Sequence, residues 1–263
     1  FELAGIRLLC EQSAPLVQRD LPLPPDVPRF VRLVWRDTAA APQITGAQAI
    51  GRHSMQVGLR GAKALHSGGD TLLGTLVSTT GSITADAGGT MKANTLRAQT
   101  GLDLSAGTGL TAGSLTSVTS SVDVATDSGS LLMNSVIAKT ALNAISGDAL
   151  TIKAFNASTA NLLAGTDLIV AGTGTTSGAM VLRSDGDALL GTLTSTAGSI
   201  TADAGGQMTA NTLKAQTGLD LSAGTGLTAG SLTSVTSSVD VESLAGAVTI
   251  NGATARTSFS ARS

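Results

Sequence analysis

Asp103 and Asp123 are followed at the same interval by Asn143, and Asp220 and Asp240 repeat the arrangement further along the chain. If the backbone returns to the same place at each such interval, these side chains sit on adjacent coils about 5 Å apart, the spacing of neighbouring strands. Carboxylates that close can hold a cation, or divide the acid and base roles of polysaccharide cleavage. Their local context argues otherwise. Asp103 lies between Leu102 and Leu104, and Asp123 between Val122 and Val124. In an alternating strand the two apolar neighbours take the inside, so the carboxylate points to solvent. The favoured reading of Asp103, Asp123, Asp220 and Asp240 is a solvated ladder that limits edge-to-edge association. No residue is assigned a catalytic, cofactor-binding or metal-ligating role.

Other chemistries have less behind them. Serine and threonine are abundant, yet no GxSxG elbow occurs, and His53 and His66 have no Ser or Cys at a recognisable spacing. Gly-rich strings such as Gly172-Thr173-Gly174 lack the GK[ST] ending and following helix of a phosphate loop, so they read as turns. The pairs Gly68-Gly69 and Gly88-Gly89 do not continue into the GGxGxD nonapeptide of a calcium-loaded roll. Thr111, Thr116 and Thr119 suggest the hydroxyl columns of an ice-binding solenoid, but the Thr spacing varies between repeats and no regular TxT array forms. Sugar rings are usually held against aromatic side chains, and in the repetitive part the only aromatics are Phe155, which fits an inward column, and Phe259. Cys10 is the single cysteine, and no Cys/His cluster has metal-ligand spacing. No cofactor is expected.

Composition narrows the class further. Only 13% of the 263 residues are charged and 2% aromatic, there are 32 Gly and no Tyr, and the formal net charge is -2. The electrostatic footprint of a nucleic-acid binder is missing. A mean hydropathy of +0.28 separates the chain from disordered sequences. Its apolar runs are broken by Thr, Ser and Gly well short of the ~20 residues that a membrane-spanning helix needs, so it is not read as membrane-spanning. The chain opens at Phe1 without a charged segment leading into an apolar one, and we expect it to be an excerpt of a longer polypeptide.

What must position any site is a repeat. Gly69–Val124 recurs as Gly186–Val241 with six differences: Thr71/Ala188, Val77/Thr194, Thr80/Ala197, Thr90/Gln207, Lys92/Thr209 and Arg97/Lys214. Most of these exchange one small or polar group for another, as suits exposed positions. A shorter period lies inside each copy: four equal blocks, opening at Gly81, Gly101, Ser121 and Ala141, run on to Ala160, and a shorter block from Asn161 to Ser177 restores the long offset. Apolar residues inside a block follow period two, as in Leu102, Leu104, Leu110 and Ala112 with Leu115 and Val118, then Val122, Val124, Leu131, Met133, Val136 and Ala138, then Leu142, Ala144, Leu150, Ile152, Phe155 and Ala157. Period two means strands, and the Gly, Ser, Thr and Asp between them supply turns. One coil cannot bury its apolar face, whereas stacked coils align Leu102, Val122 and Leu142 into a continuous core. Tandem helices would suffer from so much Gly, Thr and Ser, and an antiparallel sandwich gives no reason for a strict recurrence. The expectation is an all-β parallel β-helix, or β-solenoid, of about ten coils with a period of about 20 residues, making a rod of about 48 Å at the strand spacing of ~4.8 Å per coil.

Residues 1–60 differ from the remainder, 61–263. All six prolines lie between Pro15 and Pro42. Leu21–Phe30 reads as an extended connector, Phe30–Arg36 as a strand, and Phe1–Val17 as a short amphipathic helix with Leu3, Ile6 and Leu9 on one side. Together they form a Pro-rich segment serving as linker, cap or small binding module.

Coils such as GLDLSAGTGLTAGSLTS and GSITADAGGTMKANTLRAQ resemble the haemagglutinin repeats of filamentous haemagglutinin-type exoproteins. These bacterial two-partner secretion passengers include adhesins and the stalks of contact-dependent growth-inhibition proteins. The resemblance covers roughly Gly61–Ser263. It implies a right-handed β-helix, export through an outer-membrane partner transporter, a secreted or cell-surface location, and a role in adhesion or in presenting a distal domain. The sequence departs from the family in having no NPNL or NPNG motif, no RGD and no toxin domain, so no functional element of the family is placed on a residue here. The expected function is the structural shaft of a surface-displayed adhesin, not an enzyme, meeting a host or bacterial receptor. The alternatives are a polysaccharide-acting β-helix enzyme using Asp103 and Asp123, and a glycan- or partner-binding module centred on Phe1–Gln43.

Overall fold

The computed structural model describes residues 63–263 in full, with side chains from Ala64, and the backbone of four earlier strands, Gly5–Glu11, Val17–Leu21, Gln43–Ile50 and His53–Met55. Each coil contains a short strand and a long one. Ile83–Ala87 is followed by Thr90–Ala98, then Leu102–Ala106 by Gly109–Ser117, and so on to Phe259–Arg262. Among the described residues the short strands continue Val17–Leu21, Gly5–Glu11 and Gln43–Ile50 in a 14-stranded sheet, and the long strands continue His53–Met55 in an 11-stranded sheet. The strands from Gln43–Ile50 onward pair with one another in parallel throughout. The chain is a β-solenoid of about ten coils with a period of about 20 residues, at the short end of the range for stacked repeats.

Alternation explains the core. Along Ile83–Ala87 residues 83, 85 and 87 are buried, and the same three positions are buried in Leu102–Ala106. Ile83, Leu102, Val122, Leu142, Ala160, Met180, Ile200, Leu219 and Val239 succeed one another in register as one buried column. Full burial of a Leu, Ile or Val side chain is worth about 1.5–3 kcal/mol, and stacking makes each coil the lid of the next. The long strands change phase midway: in Thr90–Ala98 the buried residues are Met91, Ala93, Leu96 and Ala98. Alternation breaks at Asn94-Thr95, so the residues before and after this point reach the core in opposite phase.

Turns are tied coil to coil like the strands. Gly88 N–H donates to Ser67 O at 2.8 Å, Gly107 N–H to Ala87 O at 2.8 Å, and Gly147 N–H to Thr126 O at 3.0 Å. At Gly129 a Cβ would collide with the carbonyl oxygen of Thr108 on the coil below, so close stacking of the turns requires glycine there.

Coil length is not constant. Leu110 pairs with Leu131, Leu131 with Leu150 and Leu150 with Leu168, each step shorter than the last. The backbone ladder holds the columns aligned while the turns, together with a one-residue bulge within Leu168–Thr176, absorb the difference. One reading is corrected by this: Val118 is only half-buried, and the inward residue at that corner is Ser117, paired with Ala138. The two long copies occupy equivalent places, Ile83 and Ile200 lying six coil steps apart. Thr80/Ala197, Thr90/Gln207, Lys92/Thr209 and Arg97/Lys214 are exposed in both. The exception is Thr71/Ala188, which sits in the column filled elsewhere by Met91, Leu110 and Leu131.

A second correction falls near the start of the chain. Gly5–Glu11, read as part of a helix, is a strand, antiparallel to both Val17–Leu21 and Gln43–Ile50. Pairing at the end of a sheet gives its backbone groups partners, and this outweighs a weak helical pattern. The connector read at Leu21–Phe30, apart from Leu21 itself, and the strand read at Phe30–Arg36 lie outside the described residues. Parallel pairing reaches below residue 61, since Gly46–Gln48 is in register with Ala64–His66 and His53–Met55 with Thr71–Leu73.

Candidate functional site

The alternating short strands place Asp103 and Asp123 side by side in register, with Asn143 next, and Asp220 beside Asp240. Asp103 and Asp220 are exposed; Asp123 and Asp240 are half-buried. Hydrogen bonds occupy the half-buried pair. Ser121 Oγ donates to Asp123 Oδ2 and Asn143 Nδ2 to Asp123 Oδ1, both at 2.6 Å, while Ser238 Oγ donates to Asp240 Oδ2 at 2.7 Å. Beyond Asn143 the outward column continues as Asn161, Val181 and Thr201. The carboxylates therefore come in twos, one pair in each long copy, rather than as an unbroken acidic ladder.

A second outward column brings together residues that the spacing in the sequence did not single out. His66 Nδ1 lies 2.7 Å from Asp86 Oδ2, and Ser105 Oγ donates to Asp86 Oδ1 at 2.6 Å. Ser, Asp and His on three successive coils have the membership of a nucleophilic triad. The order is wrong for one, because the carboxylate is central and the imidazole is not in reach of the hydroxyl whose proton it would take. The arrangement ties coils together.

Turn aspartates do the same. Asp70 Oδ1 accepts from Thr90 N–H at 2.9 Å, Asp167 Oδ1 from Asp187 N–H at 2.9 Å, and Asp187 Oδ1 from Gln207 N–H at 2.7 Å. Asp148 accepts from the hydroxyls of Thr166 at 2.9 Å and Ser130 at 3.0 Å, and these donors hold its carboxyl below the ordinary value.

The other sheet has a different character. An open depression of about 570 Å³ crosses several coils and is lined by Arg97, Thr116, Ile137, Lys139, Asn156 and Thr175 among others, with no carboxylate in its lining. Every Asp and Glu from residue 64 onward lies on a short strand or on the turn after it. Of the eight Lys and Arg in the same span, six (Lys92, Arg97, Lys139, Lys153, Lys214 and Arg256) lie on a long strand or the turn after it. The rod thus has an acidic side and a basic side. Sequence reading missed this because the segregation shows only once each charge is assigned to a strand.

Inward hydroxyls were also missed. Ser117 Oγ donates to Thr100 O, Ser234 Oγ to Thr217 O and Ser195 Oγ to Gly178 O, while Ser195 Oγ accepts from Gly198 N–H at 2.9 Å. Their signal was the recurrence of Ser at corresponding positions of the two long copies. Among the described residues no helix is long and apolar enough to cross a membrane.

These features define a repetitive β-solenoid whose polar side chains chiefly join one coil to the next. No protein-family model matches the sequence, and no curated protein or solved structure is significantly similar to it.

Proposed function

We propose that this chain is a structural shaft, a segment of a secreted or surface-displayed bacterial adhesin that sets the distance between the cell and a binding or effector tip. The observation that carries this reading is the duplication. Gly69–Val124 recurs six coils further on, keeps every inward residue but one, and confines its other changes to outward or half-buried positions. Insertion or deletion of such a unit changes length without disturbing the core, which suits an element whose function is length and has no use in a unique active site. Turn aspartates and buried serines that join neighbouring coils serve the same end. Export through an outer-membrane partner transporter and contact with a cell-surface receptor belong to this proposal through the resemblance of the repeats.

The test is to vary length alone. Deleting residues 69–185 removes one long unit, six coils or about 29 Å at the strand spacing. Small-angle scattering should report a rod shorter by that amount with its cross-section unchanged. In the surface-displayed parent protein, attachment should depend on the number of units. Attachment indifferent to length but abolished by Asp103→Asn, or turnover of an acidic glycan lost in that variant, would replace the shaft with the glycan-acting reading.

A further inference from the structure

We propose that these rods associate side by side, the acidic sheet of one copy docking on the basic sheet of the next. The two sheets enclose one core, so their outward sides face different directions, and one copy cannot satisfy its own complementarity. A second copy can.

The axial periods agree. On the acidic side Asp103 and Asp123 recur as Asp220 and Asp240, and Asp103 reaches Asp220 in six coil steps. On the basic side Arg97 recurs as Lys214, also after six steps. Lys139 recurs as Arg256 at the same offset along the chain. Arg97/Lys214 is one of only six differences between the long copies, and it keeps the charge. Any lateral register that sets Arg97 and Lys139 against Asp103 and Asp123 therefore also sets Lys214 and Arg256 against Asp220 and Asp240. A single exposed ion pair is worth about 0–1 kcal/mol, so association depends on this repetition.

Exposed apolar groups lie on both sides, on three successive coils. Ile145 and Leu163, adjacent in register and 43% and 37% exposed, lie on the acidic side, and Ile137, 50% exposed, lies in the basic depression between Arg97 and Lys139. These groups thus lie beside charged ones on both sides, although the acidic sheet also carries Arg183, next to Leu163 in register, and such apolar contact adds to the ion pairs. Because different faces meet, the contact is heterologous and does not close on itself, so it extends into sheets or bundles of parallel shafts.

The experiment uses the whole chain in sedimentation velocity. Wild type should form species larger than dimers at about 0.01 M salt and dissociate at about 1 M, where the screening length falls from ~30 Å to ~3 Å. A basic-side variant (Arg97→Thr, Lys139→Ser, Lys214→Thr, Arg256→Ser) and an acidic-side variant (Asp103→Asn, Asp123→Asn, Asp220→Asn, Asp240→Asn) take residues already present in the same or equivalent positions of other coils. Circular dichroism checks that both fold. Each alone should remain monomeric, and their mixture should give 1:1 pairs that grow no further, since each brings one competent side. A wild type that is monomeric at low salt overturns the proposal. Association that survives high salt or both sets of substitutions overturns it as well, and identifies end-to-end pairing of open coils instead.

Discussion

Phe155 and Gly174 share one place in the core. They are paired on adjacent coils in a column that elsewhere holds Leu76, Leu96, Leu115, Val136, Leu193, Leu213 and Leu232. A Cβ at 174 would run into the Phe155 ring and lie 2.7 Å from Leu193 Cδ2. The large ring on one coil fills the space that the next coil leaves empty, so volume is conserved over two coils instead of one.

This pairing predicts non-additive substitutions. Phe155→Ala should cost about 3–5 kcal/mol as a cavity, and Gly174→Ala about 1–3 kcal/mol from overpacking. In Phe155→Leu the ring is gone, and Gly174→Ala should then cost far less, with a coupling of roughly 0.5–3 kcal/mol for residues in contact. Urea unfolding of the four proteins measures it. Additive effects would mean that the two positions do not share space.

The buried serines predict a local loss. Ser195 joins the turn carbonyl of Gly178 to the Gly198 amide, and the next residue in its column is Ala215. Alanine therefore fits sterically, and Ser195→Ala should cost only the hydrogen bonding, about 0.5–1.5 kcal/mol. Hydrogen exchange should quicken at the Gly198 amide before the strands. Unchanged exchange there would show that the hydroxyl does not hold the turn.

Asp148 predicts a step in the acid limb of stability. Its carboxyl is held below the ordinary 3.8, first by Thr166 and then by Ser130. A lowered folded value favours the native state above the unfolded value, and that contribution is lost as pH falls through the folded one. Asp148→Asn should lower stability near neutrality and remove the step below about pH 4. Parallel acid-unfolding curves for the two proteins would contradict the assignment. The group is exposed, so screening by solvent keeps the effect small.

Asn143 follows Asp123 in the outward column and donates to its carboxylate. Asn143→Asp removes the Nδ2 donor to Asp123 and sets like charges opposite in register, which should cost about 1 kcal/mol at neutral pH. The cost should shrink in acid or at high salt. A neutral effect at low salt would mean that the outward column tolerates a continuous acidic ladder.

The architecture was legible in the residues because alternation is local and recurrence is positional. Leu102, Val122 and Leu142 follow each other at the coil period with polar neighbours between, and only stacked parallel strands bury such a set. The outward placement of Asp103 and Asp123 followed from the same alternation. Gly5–Glu11 was misread because a short amphipathic stretch takes its conformation from the strand it pairs with.

Other features arise only when the coils are stacked. Ser117 rather than Val118 turns inward because the backbone ladder pairs it with Ala138, and the extra residue of that coil is taken up at the corner. Phe155 is accommodated because register sets it against Gly174, a choice made by hydrogen bonds between coils that no single coil contains. The acidic and basic sides exist only after each charge has been carried by its strand or turn to one side of the rod. That the chain coils, and what its core is made of, follow from the order of apolar and polar residues along it. Which residues face one another across coils, and where the charges gather, follow from register, and register is set by the hydrogen-bonded ladder between coils.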